Sequence, residues 1–366
     1  MVYKRPTDTS DRDKELKIFV PGRLCLFGEH SDWAGQYRQL NPDLKPGRAI
    51  VTGTNQGIYA RVQTYSHLSF RTLHSSKVLE LPMAEDLLLE TAQTEGFYSY
   101  VAGTAYQALV RYRVGGLAID NYRMNLPLKK GLSSSAAICV LVARAFNRLY
   151  NLGLSITEEM DLAYWGERTT SSQCGRLDQA CAYGSRPILM TFDGDRTRVK
   201  PLKVARDLYL IIVDLAACKD TKKILTQLNQ CYPAAKNIVQ QRVQNYLGAI
   251  NELLVKKAQL ALQQGDAAAV GNLMNRAQQQ FDRFVAPACP ELNAPILHKL
   301  LSELDLQPYI YGGKGVGSQG DGTAQLIARD RDARKQAIGV IEQKFPQMQC
   351  YELNIFVSAK SNIEIC

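Results

Sequence analysis

The sequence predicts an α+β protein of two domains, and three observations lead there. At 366 residues the chain is long enough for about two domains of ordinary size. Hydrophobic residues make up 46% and charged residues 22%, which suits a folded globular protein and excludes disorder. The texture changes near residue 200: strands and helices mix before it, and long helices followed by strands come after it. The expected division is therefore 1–200 and 201–366.

Several function classes drop out on composition. The apolar run Leu208–Val213 ends at Asp214, and no apolar run comes near the length needed to span a membrane. The polar N-terminus has no apolar core of a secretory signal, so the expected location is cytoplasmic, with no membrane partner. Nine cysteines are scattered without a C-x-x-C pair, which argues against a disulfide framework or a zinc finger and for reduced, buried thiols. The four histidines show no paired metal-ligand spacing. The net charge of +9 suits nucleic acid, an acidic small molecule or a solvated basic surface, and no nucleic-acid motif accompanies it.

The elements follow in order. Leu16–Val20 and Leu24–Gly28 read as strands interrupted by Pro21-Gly22, and Gly57–Thr64 alternates as a strand does. Gln36–Arg48 carries two prolines and reads as a loop. Apolar residues recur at helical spacing over Phe97–Tyr112, Ser133–Leu149 and Thr157–Thr169. Leu208–Leu215 is a buried strand. Ala234–Gln264, Asp266–Phe284 and Ala294–Glu303 read as helices. Strand, Gly-rich turn, strand, helix and strand then follow over Pro308–Tyr311, Thr323–Ala328, Asp330–Lys344 and Tyr351–Val357.

Three segments carry chemistry. PLKKGLSSSAA (Pro127–Ala137) opens a long helix. Gly131 permits a tight turn, and Ser133, Ser134 and Ser135 stand where backbone N–H groups are unpaired, so the segment binds a phosphate or simply caps the helix. PGRLCLFGEHSDWAG (Pro21–Gly35) gathers an arginine, two carboxylates, an imidazole and an indole. Such groups suit the hydroxyls of a sugar or polyol, or form a charged turn between strands. In YWGERTTSSQCGRLDQACA (Tyr164–Ala182), Glu167 and Asp178 stand eleven residues apart. One acid would hold Mg²⁺ while the other faces a hydroxyl, or both are ordinary surface and capping residues. A fourth segment, Gly315–Gly320, fits G-x-G-x-x-G, but the fingerprint needs a helix next and Gly322–Ala328 reads as a strand.

In this order the motifs resemble the GHMP kinase superfamily, which includes galactokinase, homoserine kinase, mevalonate kinase and phosphomevalonate kinase. PGRLCLFGEHSDWAG is similar to the galactokinase signature, GLSSSAA to the phosphate loop, and CGRLDQ to the galactokinase catalytic segment. GERTT, with its spacing to Asp178, is similar to mevalonate kinase. FYSYVAG (Phe97–Gly103) resembles the galactokinase helix that precedes the phosphate loop. The resemblance implies an N-terminal α/β domain with a left-handed βαβ crossover and a C-terminal ferredoxin-like domain.

It also implies an ATP- and Mg²⁺-dependent kinase acting on a hydroxyl of a sugar or sugar-like polyol. A galactokinase-like sugar 1-kinase leads; a mevalonate-kinase-like enzyme and a catalytically silent sugar and ATP sensor are the alternatives. By resemblance Asp178 accepts or orients the hydroxyl proton, and Arg23 keeps it ionised and stabilises the transferring phosphoryl group. Glu29, His30, Asp32 and Trp33 would bind the acceptor. Lys129, Lys130, Gly131, Leu132, Ser133, Ser134, Ser135 and Ala136 would hold the nucleotide, with Gly315, Gly317 and Gly320 closing over the phosphates. Ser135 and Glu167 would be the metal ligands. The assembly would be a monomer or homodimer.

Several departures from the family pattern cluster where the acceptor should sit. Trp33 replaces a tyrosine, and Ser318, Gln319 and Asp321 interrupt a glycine run. Lys129 stands near an expected glycine. The segment 36–48 looks like an insertion whose Arg38, Lys45 and Arg48 would suit an acidic acceptor.

Overall fold

A computed structural model describes residues 15–73, 77–127, 131–172 and 174–357. The first half builds a seven-stranded sheet from β1 (Leu16–Phe27), β2 (Gly47–Tyr65), β3 (His67–Thr72), β4 (Leu79–Pro82), β5 (Gly116–Met124), β6 (Ile188–Asp193) and β7 (Arg196–Pro201). Its order is β4-β3-β5-β2-β6-β7, with β1 also paired to β2. The helices of this half are α1 (Ser31–Gln36), α2 (Glu85–Gln93), α3 (Phe97–Tyr112), α4 (Ser134–Leu149) and α5 (Ile156–Arg168). The parallel β3–β5 pair is joined through β4, α2 and α3, the crossover that parallel strands require.

The second half contains β8 (Leu208–Asp214), β9 (Ile310–Gly315), β10 (Thr323–Ala328) and β11 (Gln349–Ile355). Its helices are α6 (Thr221–Asn229), α7 (Ile238–Asn245), α8 (Asn251–Gln264), α9 (Ala267–Phe284), α10 (Pro295–Leu301) and α11 (Arg331–Lys344). All pairings are antiparallel in the order β11-β8-β10-β9, with helices between the first and second and between the third and fourth strands. That is the βαββαβ arrangement of a ferredoxin-like domain. Among the described residues no helix is long and apolar enough to cross a membrane.

Local chemistry explains most boundaries. α4 is buried from Ala136 through Phe146, so it is apolar on nearly every side and sits between the sheet and α3 and α5. A capping box at Ser155 and Glu158 opens α5, while Asp266 and Asp330 cap α9 and α11.

Three expectations change. Pro21-Gly22 does not break the first strand: β1 runs through with a register shift between Pro21 and Arg23, a bulge that re-aims Arg23. The loop expected over Gln36–Arg48 ends early, because β2 begins at Gly47, well before Gly57, and Ser31–Gln36 just ahead of it forms a short helix. The helix expected over 234–264 starts at Ile238 and passes through a π-turn at Tyr246–Ile250. There the Tyr246 hydroxyl donates to the Ala277 carbonyl at 3.1 Å, and the side chain of Asn251, next after the turn, donates to the Arg48 carbonyl at 2.8 Å. As the sequence predicts, a strand follows Gly315–Gly320, so that segment is a turn between β9 and β10.

Candidate active site

The bulge in β1 turns Arg23 toward the start of α4. Its backbone N–H donates to the Leu132 carbonyl at 3.0 Å, and one guanidinium nitrogen donates to the Gly131 carbonyl at 2.8 Å. The rest of the guanidinium grips Asp178: Nε lies 3.2 Å from Oδ1 and NH2 contacts the same oxygen. Burial works against the Arg23 charge, but Asp178, Cys25 and Asp32 together outweigh it and the arginine pKa lies above its usual value. Ser133 also donates to Asp178 Oδ1, at 2.7 Å.

That last bond discriminates between two readings of the serine run. Ser133 occupies the N-cap of α4 in a left-handed conformation (φ 55) and makes no side-chain bond to the helix. Its hydroxyl serves Asp178 instead of capping. The first-turn N–H groups beside Ser134, Ser135 and Ala136 are thereby left for an anion.

Glu167, near the end of α5, is buried beside this turn. Its Oε1 accepts from Ser135 Oγ at 2.7 Å and its Oε2 from Gln179 Nε2 at 2.8 Å. Burial, then the neighbouring Asp178 charge, push its pKa up to about 7. Among the described residues it has no cationic partner, and no group of three or more His, Cys, Asp or Glu side chains gathers around it. A buried carboxylate paired with a serine hydroxyl and repelled by a second carboxylate fits a small hard cation that takes its other ligands from phosphate and water.

The acceptor motif packs against the other side of Asp178. Asp32 accepts from the Leu177 N–H at 3.2 Å, and a Cβ on Gly175 would overlap its carboxylate. Burial, then Asp178, raise the Asp32 pKa. Trp33 Nε1 donates to His30 Nδ1 at 3.1 Å. An indole can only donate, so His30 carries its proton on Nε2, which points to the Ser318 carbonyl at 3.3 Å. Burial lowers the His30 pKa to about 4, with Lys219 and Lys314 adding to it against the Ser318 bond. Both ring nitrogens and the indole N–H are thus engaged within the protein.

The β9–β10 turn supplies the remaining wall. A Cβ built on Gly317 would stand 3.7 Å from the Gly131 Cα, so two glycines face each other across the phosphate-loop side. Gly315 faces Gln319 and Leu297, and Gly320 faces the Glu291 carbonyl and Lys219, so these two do not meet Gly131. Asp321 turns away and accepts from the Leu297 N–H at 2.8 Å. Lys129 and Lys130 lie outside the described residues. The basic residues of 36–48 do not converge on the site: Arg38 pairs with Asp193, Arg48 with Glu252, and Lys45 is exposed.

Two residues unmarked by any motif enter the site. Lys314, 1% exposed, pairs with Glu29 and donates to the Gly315 carbonyl at 2.8 Å. Lys219, beyond the end of β8, donates to the Gln319 carbonyl at 2.6 Å. The only sequence signal for Lys314 is a lysine inside an otherwise apolar and glycine strand. Cys174, beside Gln179, is held far above the usual thiol range by burial and then Glu167, which leaves it protonated.

Residues 99–185 match the family of GHMP kinases by its N terminal domain. The chain is 26% identical over 304 residues to a galactokinase of Thermococcus kodakarensis, covering 76% of this chain and 81% of that one. It is 24% identical over 371 residues to a galactokinase of Pyrococcus furiosus, covering 95% and 98%. Among solved structures, galactokinase from Lactococcus lactis complexed with galactose superposes with a TM-score of 0.70 at 18% identity, covering 95% of each chain. Mevalonate kinase of L. major, in complex with R-mevalonate, gives 0.67 at 20% identity, covering 94% and 96%.

Proposed function

We propose that this chain, which has the GHMP kinase fold and resembles galactokinases in sequence, is an ATP-dependent kinase acting on a hydroxyl of a sugar or sugar-like polyol. The observation that carries the reading is the convergence on Asp178 of Arg23 and Ser133, at the uncapped N-terminus of α4. The acceptor hydroxyl meets the Asp178 carboxylate, which orients it and takes its proton. The ATP phosphates lie on the first-turn N–H groups of α4, with Gly131 and Gly317 allowing backbone to approach them from both halves, 1–200 and 201–366. Phosphoryl transfer passes through a loose transition state, so Arg23 contributes by fixing Asp178 and by facing the charge on the transferring group. Ser135 and Glu167 are the residues that would hold magnesium. A magnesium ion bound there neutralises phosphate charge.

The test is ADP release from Mg-ATP across galactose, other sugars, uronic acids, inositols and mevalonate. Sugar-dependent release is expected, and Asp178→Asn should lower kcat by about 100-fold or more while circular dichroism still shows the native fold. Saturable sugar binding with no ADP release would refute the enzyme in favour of a sensor.

A further inference from the structure

Among the described residues the charged groups around the acceptor motif are matched by a counter-charge or by backbone N–H groups, with one exception. Arg23 is matched by Asp178 and Lys314 by Glu29. Asp32 is held by backbone N–H groups. Lys219 remains. Its ammonium has three donors, of which one reaches the Gln319 carbonyl, and among the described residues no carboxylate lies within ion-pair distance of it.

Its place is built rather than incidental. The loop that carries it leaves β8 through Ala216, a non-glycine residue in the left-handed conformation (φ 53), whose N–H is held by Asp214 Oδ1 at 3.0 Å. Beyond the lysine, Thr221 bonds the Ser318 hydroxyl at 3.2 Å, which ties the loop to the β9–β10 turn. Lys219 packs on Gly320 and Gly322, the end of the turn away from Gly317 and Gly131. Burial, then Arg23, lower its pKa to about 8 against the pull of Glu29 and Asp321, and it depresses His30 in turn. The Gln319 carbonyl it bonds is next along the turn from the Ser318 carbonyl that faces His30 at 3.3 Å, which sets Lys219 beside the acceptor motif.

We propose that Lys219 binds an anionic group of the acceptor, so that the preferred substrate is a sugar acid carrying a carboxylate. This rests on the kinase reading. It also accounts for an acceptor motif whose histidine and tryptophan are already engaged: the substrate is oriented by a charge-assisted bond rather than by neutral hydroxyl contacts alone.

The test compares kcat/KM of the full-length wild type, Lys219→Met and Lys219→Arg on D-galacturonate, D-glucuronate, galactose and glucose, with thermal melting to confirm folding. Calorimetric binding of D-galacturonate is measured alongside. The wild type should favour a uronate over its parent sugar. Lys219→Met should cut that preference roughly 10- to 100-fold, and Lys219→Arg should restore part of it. A wild type that prefers neutral sugars overturns the proposal while leaving the kinase intact. So does an equal loss on every acceptor, which would place Lys219 on the ATP γ-phosphate. If no acceptor is phosphorylated, the kinase reading fails on its own. In that case D-galacturonate binding at least 10-fold weaker in Lys219→Met still supports the anion site, and equal or absent binding refutes it.

Discussion

Replacing Lys314 with methionine tests the contact that joins the two sheets at the acceptor motif. Lys314 is 1% exposed and Glu29 8%, so the substitution leaves a buried carboxylate with no counter-charge. Methionine keeps the length and apolar stem of lysine, so packing changes little. Removing one partner of a buried pair costs about 3–5 kcal/mol, most of it the stranding of the survivor. The Gly315 carbonyl also loses its donor, worth about 1 kcal/mol. Urea unfolding of Lys314→Met should therefore show a loss of about 4–6 kcal/mol. The double variant Glu29→Gln, Lys314→Met should recover part of it, because a neutral amide is cheaper to bury than an orphaned carboxylate. The expected coupling between the two sites is at least about 1.5 kcal/mol. A single variant within about 1 kcal/mol of wild type, or strictly additive effects, would refute the pair as a buried contact and free Glu29 for the acceptor.

Two further outcomes follow from the same geometry. Lys219→Met should raise thermal stability at pH 7. A lysine whose folded pKa is lowered to about 8 destabilises the fold wherever it is charged, and this penalty fades between pH 8 and the unfolded value near 10.4. Melting at pH 7 and pH 10 checks the sign: an advantage that grows with pH refutes it. Gly175→Ala should displace the Asp32 carboxylate, whose tip can swing aside, so kcat/KM for the acceptor should fall about 10-fold or more while melting changes little. Unchanged kinetics in that variant would remove Asp32 from acceptor binding.

Much of the fold was legible because its helices carry strong period-3.6 signals. Phe97–Tyr112 appears as read, and Ser134–Leu149 and Ile156–Arg168 differ by a residue or so at their ends. The strands with no reading in the sequence are His67–Thr72, Leu79–Pro82, Gly116–Met124, Ile188–Asp193 and Arg196–Pro201. Leu79–Pro82 has four residues, and Arg196–Pro201 is mostly exposed at the sheet edge, so burial leaves little pattern in either. Ile188–Asp193 is buried over most of its length, a run too short for periodicity to separate from a helical segment. The π-turn at Tyr246 keeps helical spacing on both sides, so periodicity reads straight through it.

The site divides along the same line between local and distant information. Arg23, Ser133, Glu167 and Asp178 sit in motifs that announce their chemistry by residue type, and the fold brings them within hydrogen-bond reach. Lys314 lies 285 positions from Glu29, and nothing near either residue names the other. The β9–β10 hairpin is what makes such pairs. It sets Lys314 on Glu29, the Ser318 carbonyl on His30, Gly317 opposite Gly131, and the Gln325 amide on the Cys25 carbonyl at 2.8 Å. Four contacts from one hairpin therefore fix both the acceptor motif and the phosphate loop. The acceptor motif cannot shift without moving the glycine turn that faces Gly131, because packed interiors resist independent displacement of touching groups. Residue types in the N-terminal motifs state which reaction is possible, whereas the hairpin decides which of their polar groups remain free to meet an acceptor.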